Sequence, residues 1–427
     1  MCDRRRGPAG AVLGLLLARS GIEVTLLEKH KDFLRDFRGD TLHPSTLQVM
    51  DELGLADRVA ALPHRKTTAF WLFTDDGRRT PVASLKGLKS KYPYIAFVPQ
   101  WDFLNLVTEA AREYPNFRLI MEAEVTGVIR EGGAAKGVRY RDAAGEHELR
   151  ATLTVGADGR GSDVRRAAGL VPVERGAPMD VVWFRLPREP GDFEDSFLRV
   201  SSGNMMVAIN RETYWQLAYL IPKGAFEKLK AQGIEELRAS VARLLPFLAP
   251  RTGELEGFGE VGVLRVALNR LRHWYRPGLL LIGDAAHAMS PIFGVGINLA
   301  VQDAVATANI LAEPLREGHV PVALLRKIQR RRTLPTVITQ SAQQFVQNRL
   351  IRPALDGSRG PTRLPFNPSR VPLLTAVARR FLGLGVLPEH VRTRPHPPAG
   401  EGILTMRFSR QLDRHRSQRP ACNSLLA

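Results

Sequence analysis

A chain of 427 residues, 44% of them hydrophobic, can bury an ample core, and its length suits two closely joined domains better than one small module. Lysine and arginine outnumber aspartate and glutamate by 61 to 43, so the net charge of +18 favours anionic cofactors, acidic substrates or anionic membrane surfaces. The two cysteines, Cys2 and Cys422, sit near the chain ends, which excludes a disulfide framework or a cysteine-based metal site.

The basic residues are scattered, with local clusters only at 4–6, 330–332 and the C-terminal tail, and no nucleic-acid-binding motif accompanies them. No run approaches the roughly 18 apolar residues that cross a bilayer. A reducing cytoplasm fits this composition, and peripheral contact with a membrane stays open.

Residues 4–18 superficially resemble a secretory signal, with three arginines before an apolar run. The better reading takes 7–20 as the opening turn and first helix of a nucleotide-binding unit, because 22–27 follows as a buried parallel strand ending at Glu28. A helix is expected over 44–55, ended by Gly54, then a hairpin of 68–73 and 79–82. A helix over 101–113 precedes a three-stranded meander of 123–130, 135–141 and 147–155. From 180 to 222 short strands alternate, and Trp215, Leu217, Tyr219 and Ile221 share one face. A helix over 234–248, a strand over 258–267 and a buried strand over 279–282 lead into helix-rich sequence as far as 386. The last stretch, 393–427, reads as a poorly ordered tail.

Three turns carry the chemistry. Gly7, Pro8, Ala9 and Gly10 supply the last four positions of a GxGxxG turn, where glycine lets the backbone approach a pyrophosphate and the helix pack closely on its strand. Glu28 lies eighteen positions beyond Gly10, where a carboxylate can accept ribose hydroxyls. The motif's first glycine would fall on Arg5 and its strand ahead of Met1, so a groove is expected in the core where a central strand belongs. A misplaced start or frame is preferred here to a degraded copy. In the second turn an apolar strand ends at Asp158 and Gly159 before a helix. In the third, Gly283 and Asp284 leave a buried strand, and Pro291 and Gly294 to Asn298 open another helix.

In order and spacing these three turns resemble the flavoprotein monooxygenases with the para-hydroxybenzoate hydroxylase fold, over about residues 7–390. The resemblance implies an α/β fold. A Rossmann-like FAD-binding domain (1–67, 99–170 and 276–330), its first strand missing, would interleave with an antiparallel-sheet substrate domain (68–98 and 171–275), ahead of C-terminal helices (331–392). It implies FAD as cofactor, with Gly7, Gly10 and Glu28 on the adenosine half, Arg38 near the flavin and Gln100 in contact. Asp158 and Gly159 match the family's Asp-Gly motif. Gly283 and Asp284 would hold the ribitol, and Pro291, Gly294, Gly296, Ile297 and Asn298 would face the flavin ring.

The implied activity is NADH- or NADPH-dependent hydroxylation of an aromatic or polyprenylated small molecule by dioxygen, through a flavin peroxide. Because the cofactor carries the chemistry, no catalytic triad or metal site is expected, and His43 and His287 are weak acid/base candidates only. Trp183, Met205, Met206, Trp215 and Tyr219 could line the substrate pocket or merely pack the sheet. A flavin halogenase is disfavoured, because Leu217 and Tyr219 stand at the two tryptophan positions of that group's Trp-x-Trp-x-Ile-Pro motif. A flavin reductase or dehydrogenase, or a flavin-free remnant with a binding role, completes the alternatives. Oligomeric state is not legible.

Overall fold

A computed structural model of the chain describes residues 7–33, 40–75, 77–201, 203–356 and 372–396. Arg38, Asp76 and the tail beyond His396 therefore lie outside the described residues. Thr393 and His396 are within them: the His396 amide donates to the Arg19 carbonyl at 2.8 Å and Arg19 Nη1 to the Thr393 carbonyl.

The first helix, Pro8–Arg19, is apolar on every side and ten of its residues are buried, as befits a helix enclosed by core rather than lying on a surface. Proline at its start supplies the fixed φ and missing N–H that a first helical turn tolerates. It leads to the strand Val24–Leu27, which pairs in parallel with Phe117–Ile120. A second parallel pair joins Thr154–Gly156 to Leu279–Leu281. Among the described residues no strand lies between Val24–Leu27 and Thr154–Gly156, and a cavity of about 560 Å³ is lined by both.

The hairpin pairs Ala69–Phe73 with Arg79–Ser84, and both strands join Met179–Pro187, Phe197–Ser201, Asn204–Asn210, Tyr214–Pro222 and Gly262–Leu264 in one seven-stranded sheet. Every pairing in it is antiparallel except that of Phe197–Ser201 with Ala69–Phe73. One face packs on the helix Ile234–Leu244, with Phe184, Trp215 and Leu217 fully buried. The other carries Met179, Val181 and Met205 against Ile292, Ile351 and Ala354.

Several boundaries differ from expectation. The helix expected over 44–55 stops at Glu52, and Gly54, at φ +75°, turns the chain into a second short helix, Ala56–Ala61. The segment 147–155 is two strands rather than one. Gly145–Arg150 closes the meander, and the chain then breaks before Thr154–Gly156 enters the parallel sheet. Its apolar content continues through the break, so composition could not separate a half-exposed antiparallel strand from a buried parallel one. Ile292–Arg316 is long and apolar enough to cross a membrane by length and composition, but 83% of that window is buried within the protein, which marks a core helix.

Candidate functional site

The turn at Gly7 holds the mouth of the cavity. Its amide donates to the Ala157 carbonyl at 3.2 Å, and Gly10 returns its own amide to the Gly7 carbonyl. A Cβ on Gly10 would come within 3.3 Å of the Ala157 methyl, so glycine here permits the close helix–strand approach that the motif requires. Glu28, at the end of its strand, is 1% exposed; its carboxylate accepts the His30 amide at 3.1 Å. Gly7, Gly10, Glu28 and Asp158 all line the same cavity.

Asp158 is held by its own turn. One carboxylate oxygen accepts the Ser162 hydroxyl and the other the Val164 amide at 3.0 Å, while Ser162 caps the helix Asp163–Ala167. Gly159 sits at φ +79°, a backbone conformation that side chains resist. Arg160, which sequence reasoning did not place in the site, ties this turn to the third one: its Nε donates to Asp284 at 3.1 Å and its Nη2 to the Met289 carbonyl. A charged residue directly after an Asp-Gly turn was the signal available for it.

Gly283 turns at φ +58°, and its amide donates to Asp303 at 3.0 Å. Asp303, fully buried, also takes His287 Nε2 at 2.6 Å and Arg332 Nε at 2.8 Å. Burial alone would raise the Asp303 pKa, but the charges and hydrogen bonds of His287 and Arg332 outweigh it and hold it below the usual carboxylate range. His287, 1% exposed and packed on Trp274, is enclosed in the core with its Nε2 on Asp303.

His43 is likewise enclosed. It is 1% exposed, its Nδ1 lies 2.7 Å from the Leu382 carbonyl, and burial pushes its pKa down to about 4, so it stays neutral near pH 7.

Asn298 spends its side chain on the same region. Its carbonyl oxygen accepts the His43 amide at 2.9 Å and the Thr46 hydroxyl at 2.6 Å. Thr41 donates to the Gly294 carbonyl at 2.7 Å, so the segment 41–46 is pinned to the turn that opens the helix Gly296–Arg316. Helix geometry leaves the first amides of Gly296, Ile297 and Asn298 without intrahelical partners, and no side chain caps them. Pro291 precedes a short 3₁₀ turn in which Phe293 is held at φ +70° and Gly294 at +64°. Gln100 begins the helix Gln100–Arg112, beside a buried pair of Asp40 and Arg211.

The five residues named for the substrate pocket do not come together. Met206, Trp215 and Tyr219 point to the face packed on Ile234–Leu244, where Trp215 Nε1 donates to Asp192 at 2.9 Å and the Tyr219 hydroxyl to Asn204 at 2.7 Å. Strand alternation puts their neighbours on the other side. Only Met205 and Trp183 belong to the face that meets Ile292, beside the Pro291–Gly294 turn.

Polar groups that would suit a long dinucleotide are therefore present: uncapped amides at a helix start, a buried glutamate at a strand end, and a carboxylate steadied by an arginine. A family model described as an FAD binding domain matches residues 6–342. The chain is 32% identical over 390 residues to 6-methylpretetramide 4-monooxygenase of Streptomyces rimosus, an alignment covering 89% of this chain and 91% of that protein. It is similar in structure to p-nitrophenol 4-monooxygenase PnpA of Pseudomonas putida DLL-E4, with a TM-score of 0.68 at 20% identity over 88% of this chain and 94% of that one. The flavin-dependent brominase Bmp2 gives 0.72 at 20% identity over 89% and 92%. At such identities the likeness to the two solved structures concerns the fold.

Proposed function

Because this chain belongs to the FAD-binding-domain family and is an FAD-dependent monooxygenase, we propose that it hydroxylates an aromatic ring with NADH or NADPH as reductant. Dioxygen is the co-substrate. The relative named as 6-methylpretetramide 4-monooxygenase supports a small-molecule substrate. A cytoplasmic site of action suits a chain with two cysteines.

The observation that carries this reading is the linkage of the turns: Gly7, Gly10, Glu28 and Asp158 border one cavity, and Arg160 bridges the Asp158 turn to Asp284. FAD, when bound, would accept electrons from the nicotinamide cofactor and activate dioxygen for transfer of one oxygen atom to the ring. The start of Pro8–Arg19 would face its pyrophosphate, and Glu28 would accept its ribose hydroxyls. Asp284, oriented by Arg160, would bind the ribitol. The amides at Gly296 to Asn298 would stabilise negative charge on the electron-rich end of the flavin ring. Trp183 and Met205, on the sheet face nearest Ile292, would form an apolar wall that keeps water from the reacting edge.

The test is a visible absorption spectrum of the protein after reconstitution with FAD, followed by NADH and NADPH oxidation with and without aromatic substrates. A flavin spectrum and substrate-stimulated oxidation that yields a hydroxylated product are expected. Asp284→Ala should weaken FAD retention about tenfold to a hundredfold, the worth of one charge-assisted hydrogen bond. Failure to take up FAD, or oxidation that yields only hydrogen peroxide with every ring tried, would overturn the reading.

A further inference from the structure

Away from the cofactor cavity, a two-stranded antiparallel ribbon of Pro172–Glu174 and Asn269–Leu271 sorts its charges between its two faces. Strand alternation puts Val171, Val173 and Arg175 on one face together with Arg270, the cross-strand partner of Val173. Glu174 and its partner Asn269 turn to the other face, where the Glu174 carboxylate accepts Asn269 Nδ2 at 2.8 Å. The helix Val322–Val346 clamps the ribbon by its backbone: Gln329 Nε2 donates to the Arg272 carbonyl at 2.8 Å, Gln340 Nε2 to the Asn269 carbonyl at 2.8 Å and Gln344 Nε2 to the Arg175 carbonyl at 3.4 Å. With its nitrogen so committed, the buried Gln340 amide turns its oxygen to Arg270, accepting Nη1 at 3.2 Å. A neutral acceptor orients this guanidinium without discharging it.

Among the described residues neither Arg175 nor Arg270 has a carboxylate partner, and the charge that acts on Arg270 is the like charge of Arg175. Burial, and after it that neighbouring guanidinium, hold the Arg270 pKa below the usual arginine value. The surroundings supply no relief: residues 261–283 contain four arginines and no acid, and residues 318–355 contain seven lysines and arginines and no acid, so the potential over this face is positive. Two guanidiniums held together against their repulsion are a cost that an anion placed between them offsets. The arginine fork matches two oxygens of a phosphate, and a second positive charge suits a dianion. Val171 and Val173, both exposed on the same face, offer an apolar shelf to the organic part of a phosphate ester.

We propose that Arg175 and Arg270 form a binding site for the dianion of a phosphate monoester. The N–H groups of Arg270 not spent on Gln340 grip the phosphate oxygens, Arg175 supplies the second charge, and the organic part of the ester lies along Val171 and Val173. Neither arginine lines the cavity bordered by Gly7, Gly10, Glu28 and Asp158, so this site is separate from that one and its occupation does not depend on the flavin reading. The chemistry fits two sources, the 2′-phosphate of a nucleotide such as NADPH and the headgroup of phosphatidic acid. If the source is the reductant, the site is what distinguishes NADPH from NADH, an extension that rests on the monooxygenase reading.

The experiment uses the full chain with FAD added, at a pH where phosphate is a dianion. Calorimetry follows inorganic phosphate and NADP+ against NAD+, and co-sedimentation compares phosphatidic acid vesicles with phosphatidylcholine vesicles. Saturable binding of phosphate is expected, weakened about tenfold by Arg270→Gln and by Arg175→Gln, the loss of one charge-assisted contact in each. Arg112→Gln, which removes an equal charge from the exposed side of the helix Gln100–Arg112, should leave it unchanged. Thermal melts check that the variants fold, and Arg175, an exposed side chain, can be replaced without breaking a packing contact of the core. A preference for NADP+ over NAD+ that both substitutions abolish assigns the site to a nucleotide phosphate. Sedimentation with phosphatidic acid alone, abolished by both, assigns it to the lipid headgroup. Failure of every phosphate probe to bind, or equal weakening by Arg112→Gln, overturns the proposal. FAD uptake, read from the visible spectrum of the same samples, tests the monooxygenase reading on its own.

Discussion

At the residue scale, the site is governed by a few backbone conformations and one buried imidazole. Gly294 combines φ +64° with a Cβ position only 2.6 Å from the Thr41 hydroxyl oxygen. Gly294→Ala should therefore cost about 1–3 kcal/mol of stability and loosen the start of the Gly296–Arg316 helix, read out by denaturant unfolding and by FAD fluorescence. Phe293 tolerates φ +70° beside it because its ring packs edge-on against Phe381 at 5.9 Å, which places strain next to the surface assigned to the flavin. His43 gives a pH dependence with a definite sign. Its folded pKa of about 4 lies below the ordinary 6.5, so the unfolded chain binds a proton first. Its contribution is complete above pH 6.5 and lost progressively as the pH falls toward 4, by up to about 3 kcal/mol. Thermal melts of His43→Gln between pH 7 and 4 should show a shallower decline than the parent, and parallel curves would contradict this account.

At the scale of elements, buried ion pairs hold segments together that are distant in sequence. Asp303 joins the Gly283 turn, His287 and Arg332, while Arg331 binds Glu389 through two hydrogen bonds of 2.6 and 2.7 Å. Removing the Asp303 carboxylate leaves the buried Arg332 guanidinium without that partner, so Asp303→Ala should lose about 3–5 kcal/mol, measured by denaturant unfolding. Asp192, in the connection between Met179–Pro187 and Phe197–Ser201, plays the same part. Burial pushes its pKa up, but hydrogen bonds from Arg251 and Trp215 prevail and bring it down to about 2. That stabilisation is present above pH 4 and fades as the pH drops through 2, so Asp192→Asn should flatten the acid limb of the unfolding curve. The alternation of Tyr214–Pro222 was legible: Trp215, Leu217, Tyr219 and Ile221 do share one face. Which face it would be was not, because two apolar faces, one under a helix and one toward the site, look the same in a strand's sequence.

At the scale of the whole molecule, short-range rules accounted for the turns and their glycines. Gly10 before Ala157, Gly159 at φ +79° and Gly283 at φ +58° stand where close approach or a left-handed backbone excludes a side chain, and such demands are written into residue identity. The order of the three turns, and with it the family and fold class, followed from the sequence alone. Tertiary structure decided the rest. It spent the carboxylate of Asp158 on capping a helix, brought Arg160 onto Asp284, enclosed His43 and His287 in the core, and turned three of the five supposed pocket residues away from the site. These outcomes depend on which surfaces meet, a matter of long-range packing and partner choice that composition and spacing along a chain do not encode.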